Sequence, residues 1–131
     1  MIHPSLFLRR ALLADAIVSG AMALLLAFAA GALTSLLGLP EALLRETGLF
    51  LIAYAAFVGF LGSRAAMQKP LVLLVIVGNA AWTLASIALL MSGAVSPNLL
   101  GVGFVVMQAI AVGVFAELQF IGLRKSAAAM A

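Results

Sequence analysis

From Pro70 to Ala116 the chain carries no Asp, Glu, Lys or Arg. A single helix of that length would extend about 70 Å, roughly twice the hydrocarbon core of a bilayer. The run must therefore fold back on itself. Turn-forming residues gather at Ser92-Gly93-Ala94-Val95-Ser96-Pro97-Asn98, where glycine and proline interrupt regular structure. Two apolar spans result, near residues 71–91 and 99–122.

The rest of the chain follows the same logic. Only 8% of residues are charged and 66% are hydrophobic. A soluble domain needs roughly 25% charged residues to cover its surface. The solvent for most of this surface is therefore lipid. A first span is expected within residues 11–38, after Arg9-Arg10 and before Gly38 and Pro40. Glycine suits a helix C-terminus, and proline suits the start of the next helix. The run is much longer than the roughly 7–15 apolar residues of a cleaved signal segment, so it reads as a retained span. A second span is expected over residues 47–66. Between them, Pro40-Glu41-Ala42-Leu43-Leu44-Arg45-Glu46 is amphipathic. It fits either an interfacial helix or the wet first turns of span two.

These spans predict an all-α fold, a four-helix antiparallel transmembrane bundle occupying residues 1–131 as one integral membrane domain. Four crossings put both termini on one side. Arg9, Arg10, Arg64, Lys69, Arg124 and Lys125 fall on that side, and Arg45 alone falls on the other. Lys and Arg in short loops set membrane orientation, so both termini are expected in the cytoplasm.

Helices in lipid associate through small residues that let backbones approach. Candidate packing faces are Ser19, Ala23, Ala27 and Gly31 in the first span, Ala55, Gly59 and Gly62 in the second, and Ala109 and Gly113 in the fourth. Two carboxylates continue these faces: Asp15 in the first and Glu117 in the last. An aspartate at mid-membrane costs roughly 2.5–3.5 kcal/mol. Counted at about 1.5 Å per residue, Asp15 lies about 7 Å inside the terminal end, Glu117 about 10 Å and Asn79 about 13 Å. The three are expected to form one polar cluster, with Trp82, Thr83 and Gln119 nearby and Gln108 deeper. Asp15, Asn79, Trp82, Thr83 and Glu117 are thus the candidate ligand or proton-site residues. The plainer expectation is structural: Asp15 accepts from Asn79 or pairs with Arg10 or Arg124, and Glu117 pairs with Arg124 or Lys125. Tyr54 is expected to pack with its hydroxyl bonded to a neighbour.

Much chemistry is excluded. There is no cysteine and one histidine, His3, in the N-terminal tail. No thiolate or multi-histidine metal site and no Ser–His–Asp or Cys–His set fits within the spans. No glycine-rich phosphate loop follows a strand, so no cofactor is implied. The net charge of +3 is small and scattered, which does not suit nucleic acid. The partners implied are the lipid bilayer and, through the small-residue faces, a second copy or a larger membrane complex.

Leu37-Gly38-Leu39-Pro40, Leu43-Leu44-Arg45 with Gly48, Gly78-Asn79-Ala80-Ala81-Trp82, Ala116-Glu117-Leu118-Gln119 and Gly122-Leu123-Arg124 together resemble a family of small bacterial four-span integral membrane proteins. The resemblance covers nearly the whole chain. It implies the fold, the topology and a bacterial inner-membrane location, and it carries no activity. A looser likeness, in length and layout, is to the DoxX-like proteins. The function expected is a non-enzymatic accessory, scaffold or self-associating membrane subunit. One alternative is a dimeric proton-coupled transporter using Asp15 and Glu117. A second is a membrane enzyme or a quinone- or lipid-binding protein built around Asp15, Trp82 and Glu117.

Overall fold

A computed structural model describes residues 1–130, with side chains through Ser126. The described residues form five helices: α1 (Leu6–Phe28), α2 (Ala30–Leu37), α3 (Glu41–Ser63), α4 (Lys69–Ser92) and α5 (Leu99–Met130). Four of them, α1, α3, α4 and α5, are long and apolar enough to cross a membrane. The exterior agrees: Phe28, Leu84, Met91, Ile17 and Met107 all stand largely exposed. An all-helical bundle satisfies its backbone hydrogen bonds internally, as a lipid solvent requires.

The helices refine the spans read from the sequence, the second of which ends at Ser63 rather than at 66. The first is divided. Helix α1 starts at Leu6, where the Ser5 side chain accepts from the Leu8 amide, and stops at Ala29. The short α2 then runs to a left-handed Gly38 at φ 72°. Gly31 sits in the first turn of α2, where its low helix propensity makes a break cheap. The amphipathic segment is resolved in favour of the second span: Glu41–Glu46 form the first turns of α3, with Pro40 as the cap. The fourth helix continues beyond residue 122. Ser126 is fully buried and accepts from the Ser5 amide at 2.7 Å.

Packing is close where small residues meet. Along α1 and α3, Ala16 meets Gly59, Gly20 meets Ala55, and the Ala27 backbone meets Gly48. These pairs hold a constant antiparallel register. A Cβ on Gly48 would lie 2.5 Å from the Ala27 nitrogen, so only glycine permits this approach. Helix α1 also packs on α5, and α5 on α4, whereas α3 and α4 make no comparable approach. The bundle is therefore a ring with one loose seam. Bulky side chains stand in that seam, notably Phe50 and Trp82, whose rings stack with centroids 6.0 Å apart.

The apolar core is split between the two ends. At the terminal end, Leu8, Leu12, Val58, Leu61, Val72, Val75 and Leu123 pack together. The N-terminal tail seals this end through a backbone bridge between Ile2 and Met67. At the opposite end, Leu26, Leu37, Leu39, Leu44 and Val105 form the second core. Asn98 ties that end together: its side-chain amide donates to the Leu36 carbonyl, and its oxygen accepts from the Gly101 amide. Between the two cores lie the polar side chains and the cavities.

Candidate functional site

Each spanning helix contributes to one polar cluster centred on Asp15. The carboxylate is 3% exposed. Its Oδ1 accepts from Ser19 Oγ, one turn along α1, at 2.9 Å. Its Oδ2 accepts from Gln119 Nε2 of α5 at 2.8 Å and from Asn79 Nδ2 of α4 at 3.1 Å. The Tyr54 hydroxyl of α3 lies 2.7 Å from the same Oδ2 and 2.9 Å from Asn79 Oδ1, one proton facing two acceptors. Asn79 Nδ2 also donates to Gln119 Oε1 at 2.9 Å. Every buried side-chain nitrogen and oxygen among the described residues has a partner, as burial of polar groups demands.

All of these partners are neutral. Among the described residues the only ion pair is Arg45–Glu41, at the opposite end of the bundle. The Asp15 carboxylate is thus held by hydrogen bonds from neutral groups, with no cation paired to it. The expected contact with Asn79 forms, and the expected pairing with Arg10 or Arg124 does not.

Glu117 is not part of this cluster. It is exposed on the outer face of α5, and Gln119 takes the place the sequence reading gave it. The reason is helical phase. A strict spacing of four residues advances about 400°, so it drifts about 40° per step from a 3.6-residue helix. From Val105 the buried face continues through Ala109, Ala116, Gln119 and Leu123, leaving Glu117 outside. Gly31 is exposed for another reason: it follows the break at Ala29 and belongs to α2, so it does not continue the α1 row on which Ala23 is fully buried.

Thr83 and Trp82 also stand outside the Asp15 cluster. Thr83 Oγ1 lies 3.1 Å from both the Asn79 and Ala109 carbonyls, joining α4 to α5. Gly113 admits the Thr83 side chain. Trp82 belongs to a second polar network one turn deeper. Its Nε1 donates to Gln108 Oε1 at 2.9 Å, Gln108 Nε2 donates to Ser86 Oγ at 2.9 Å, and Ser86 Oγ donates back to the Trp82 carbonyl at 2.8 Å. Tyr54 and Ser19 are the site residues the sequence reading assigned to packing. A tyrosine hydroxyl in an apolar helix needs a partner, and that need was the available signal.

Cavities surround Trp82. Two, each of about 300 Å³, open along the loose seam between α3 and α4. One is lined by Phe50, Tyr54, Phe57, Gly78 and Asn79. The other lies towards the opposite end, among Leu43, Thr47, Ser86, Leu89 and Phe104. A third, of about 260 Å³, lies on the α1–α5 side and reaches Asp15. The slot between α3 and α4 is mostly apolar in its lining, with Tyr54 and Asn79, hydrogen-bonded to each other, among its polar members.

Chemically, the centre offers a buried carboxylate, a phenol and two amides beside apolar space. Among the described residues no group of His, Cys, Asp or Glu is placed to hold a metal ion. No family model, curated protein or solved structure matches the chain.

Proposed function

We propose that this chain is a non-enzymatic membrane protein that holds an apolar or amphiphilic molecule drawn from the bilayer, in the size class of a lipid chain or quinone. The observation that carries this reading is the slot between α3 and α4. Its two cavities of about 300 Å³ are apolar and partly aromatic, and they lie where α3 and α4 make no close backbone approach. Pockets of this size with few convergent polar groups are the usual form of small-molecule sites. A bundle acting only as a scaffold has no need to keep α3 and α4 apart while α1 closes on α3 and α4 on α5.

In this reading the termini are cytoplasmic and the membrane is a bacterial inner membrane. The terminal end carries Arg64 over Phe60, Arg124 over Phe120 and Lys125 over Phe7, at 5.2, 5.9 and 4.4 Å. Cations resting on rings at a helix end suit the headgroup layer of the cytoplasmic leaflet. Association with a second copy or a larger complex is compatible with the slot, which the contacts within one chain leave open.

Trp82, the one tryptophan, makes the slot observable. In vesicles of phosphatidylcholine brominated along its chains, Trp82 emission is expected to be quenched strongly in the native protein. It is expected to be protected in Gly78→Leu, since Gly78 lines the slot and nothing lies within 4 Å of a Cβ there. Equal quenching of the two proteins would count against a slot entered from lipid.

A further inference from the structure

The third cavity differs in character from the slot. It lies between α1 and α5, and its lining includes Asp15, Ser19, Trp82, Phe104, Gln108 and Phe115. Three aromatic rings and one carboxylate thus border a space of about 260 Å³. The carboxylate has only neutral partners, and no Lys, Arg or His occurs in α1 beyond Arg10, in α4 beyond Lys69, or in α5 before Arg124. A buried charge is ordinarily offset by an opposite one, and here no described side chain supplies it.

We infer that the α1–α5 cavity binds a small organic cation, of the substituted-ammonium class with an apolar body. The two recognition elements reinforce each other. Aromatic faces attract a cation through the ring quadrupole, most strongly where water is excluded. A carboxylate adds a Coulomb attraction that grows as the local dielectric falls. A quaternary or tertiary ammonium needs little or no hydrogen bonding from the site, which fits a carboxylate whose oxygens are already engaged by Ser19, Tyr54, Asn79 and Gln119. A neutral lipid chain would use the apolar walls and leave the charge unanswered. An anion would be repelled by it. The cavity adjoins the slot around Trp82, sharing Leu51 and Trp82 with both slot cavities and Phe104 and Gln108 with one of them, while Asp15 and Phe115 line this cavity and neither of the others.

The test compares two probes of one shape. Benzyltrimethylammonium carries a quaternary nitrogen where neopentylbenzene carries a carbon. Each is titrated into protein held in phosphatidylcholine nanodiscs, and Trp82 emission is followed. The cation is expected to give a saturable change that weakens roughly tenfold in Asp15→Asn, with a smaller loss in Phe104→Leu and Phe115→Leu. Neopentylbenzene is expected to bind more weakly to the native protein and equally to native and Asp15→Asn. Gly78→Leu, which fills the slot wall, is expected to leave the cation affinity unchanged. Equal affinity for the two probes, an unaltered cation affinity in Asp15→Asn, or no saturable response to the cation would each overturn the inference. Loss of cation binding in Gly78→Leu would overturn its placement between α1 and α5. Should Asp15→Asn fail to fold, the leucine variants decide: unchanged cation affinity in both would overturn the inference.

Discussion

Helix α3 shows two opposite solutions on its two sides. Towards α1 it presents Gly48, Ala55, Gly59 and Gly62, and the two backbones close onto each other. Towards α4 it presents Phe50, Tyr54 and Phe57, and the backbones stay apart around cavities. Both faces are apolar, and hydrophobicity alone would not tell them apart. In lipid there is no hydrophobic drive to pull helices together, so side-chain size and polar bridges set the distance. The seam with α1 is built to be shut. The seam with α4 is held open by rings and pinned by one hydrogen bond, from Tyr54 to Asn79.

The comparison breaks most readily at Gly48. Gly48→Ala forces a methyl group into the Ala27 backbone and is expected to cost about 2–3 kcal/mol, in the upper range for overpacking. Thermal unfolding in detergent would register it. Gly78→Ala, on the open face of α4, is the matched control. With nothing near its Cβ, it should be neutral or raise stability by up to about 1 kcal/mol through helix propensity. A comparable loss at both positions would mean the two seams are equally tight.

Next in size is Asp15→Leu. It removes the acceptor shared by Tyr54, Asn79 and Gln119, each on a different helix. At about 0.6 kcal/mol per interhelical polar contact, the loss is expected to be about 2 kcal/mol. Unfolding midpoints of Asp15→Leu and Asp15→Asn would separate the loss of acceptors from the loss of charge, since Asn retains one carbonyl oxygen. Phe50→Ala should be milder, about 1 kcal/mol, because it removes an aromatic pair at a partly exposed site. It should also make Trp82 more accessible to brominated lipid, sharpening the contrast between the seams. Glu117→Gln should be the smallest, within about 0.5 kcal/mol, as for a surface substitution away from any special contact. A loss matching that of Asp15→Leu would return Glu117 to the polar centre.

The four spans were legible because charge is almost absent from them and turn residues separate them. The pairing of Asp15 with Asn79 was legible from depth and face. The division of the first span at Ala29 was not, because no proline marks it and the flanking hydrogen bonds survive on both sides. A strict four-residue spacing points to Glu117, whereas helical phase buries Gln119 two residues onward. The open seam was invisible for a different reason. Apolar pattern states which residues avoid water, but in a bilayer it does not state which residues avoid each other.

The geometry around Asp15 also imposes a chronology on biogenesis. During synthesis, α1 precedes the other three spanning helices, with Ser19 as the donor to Asp15 within it. Tyr54 arrives 39 residues later, Asn79 after 64 and Gln119 after 104. Until α5 is in place, the carboxylate lacks part of its final solvation. The first helix therefore rests less favourably in lipid alone than within the completed bundle. Of the four spanning helices described, the last to be made completes the solvation of the first.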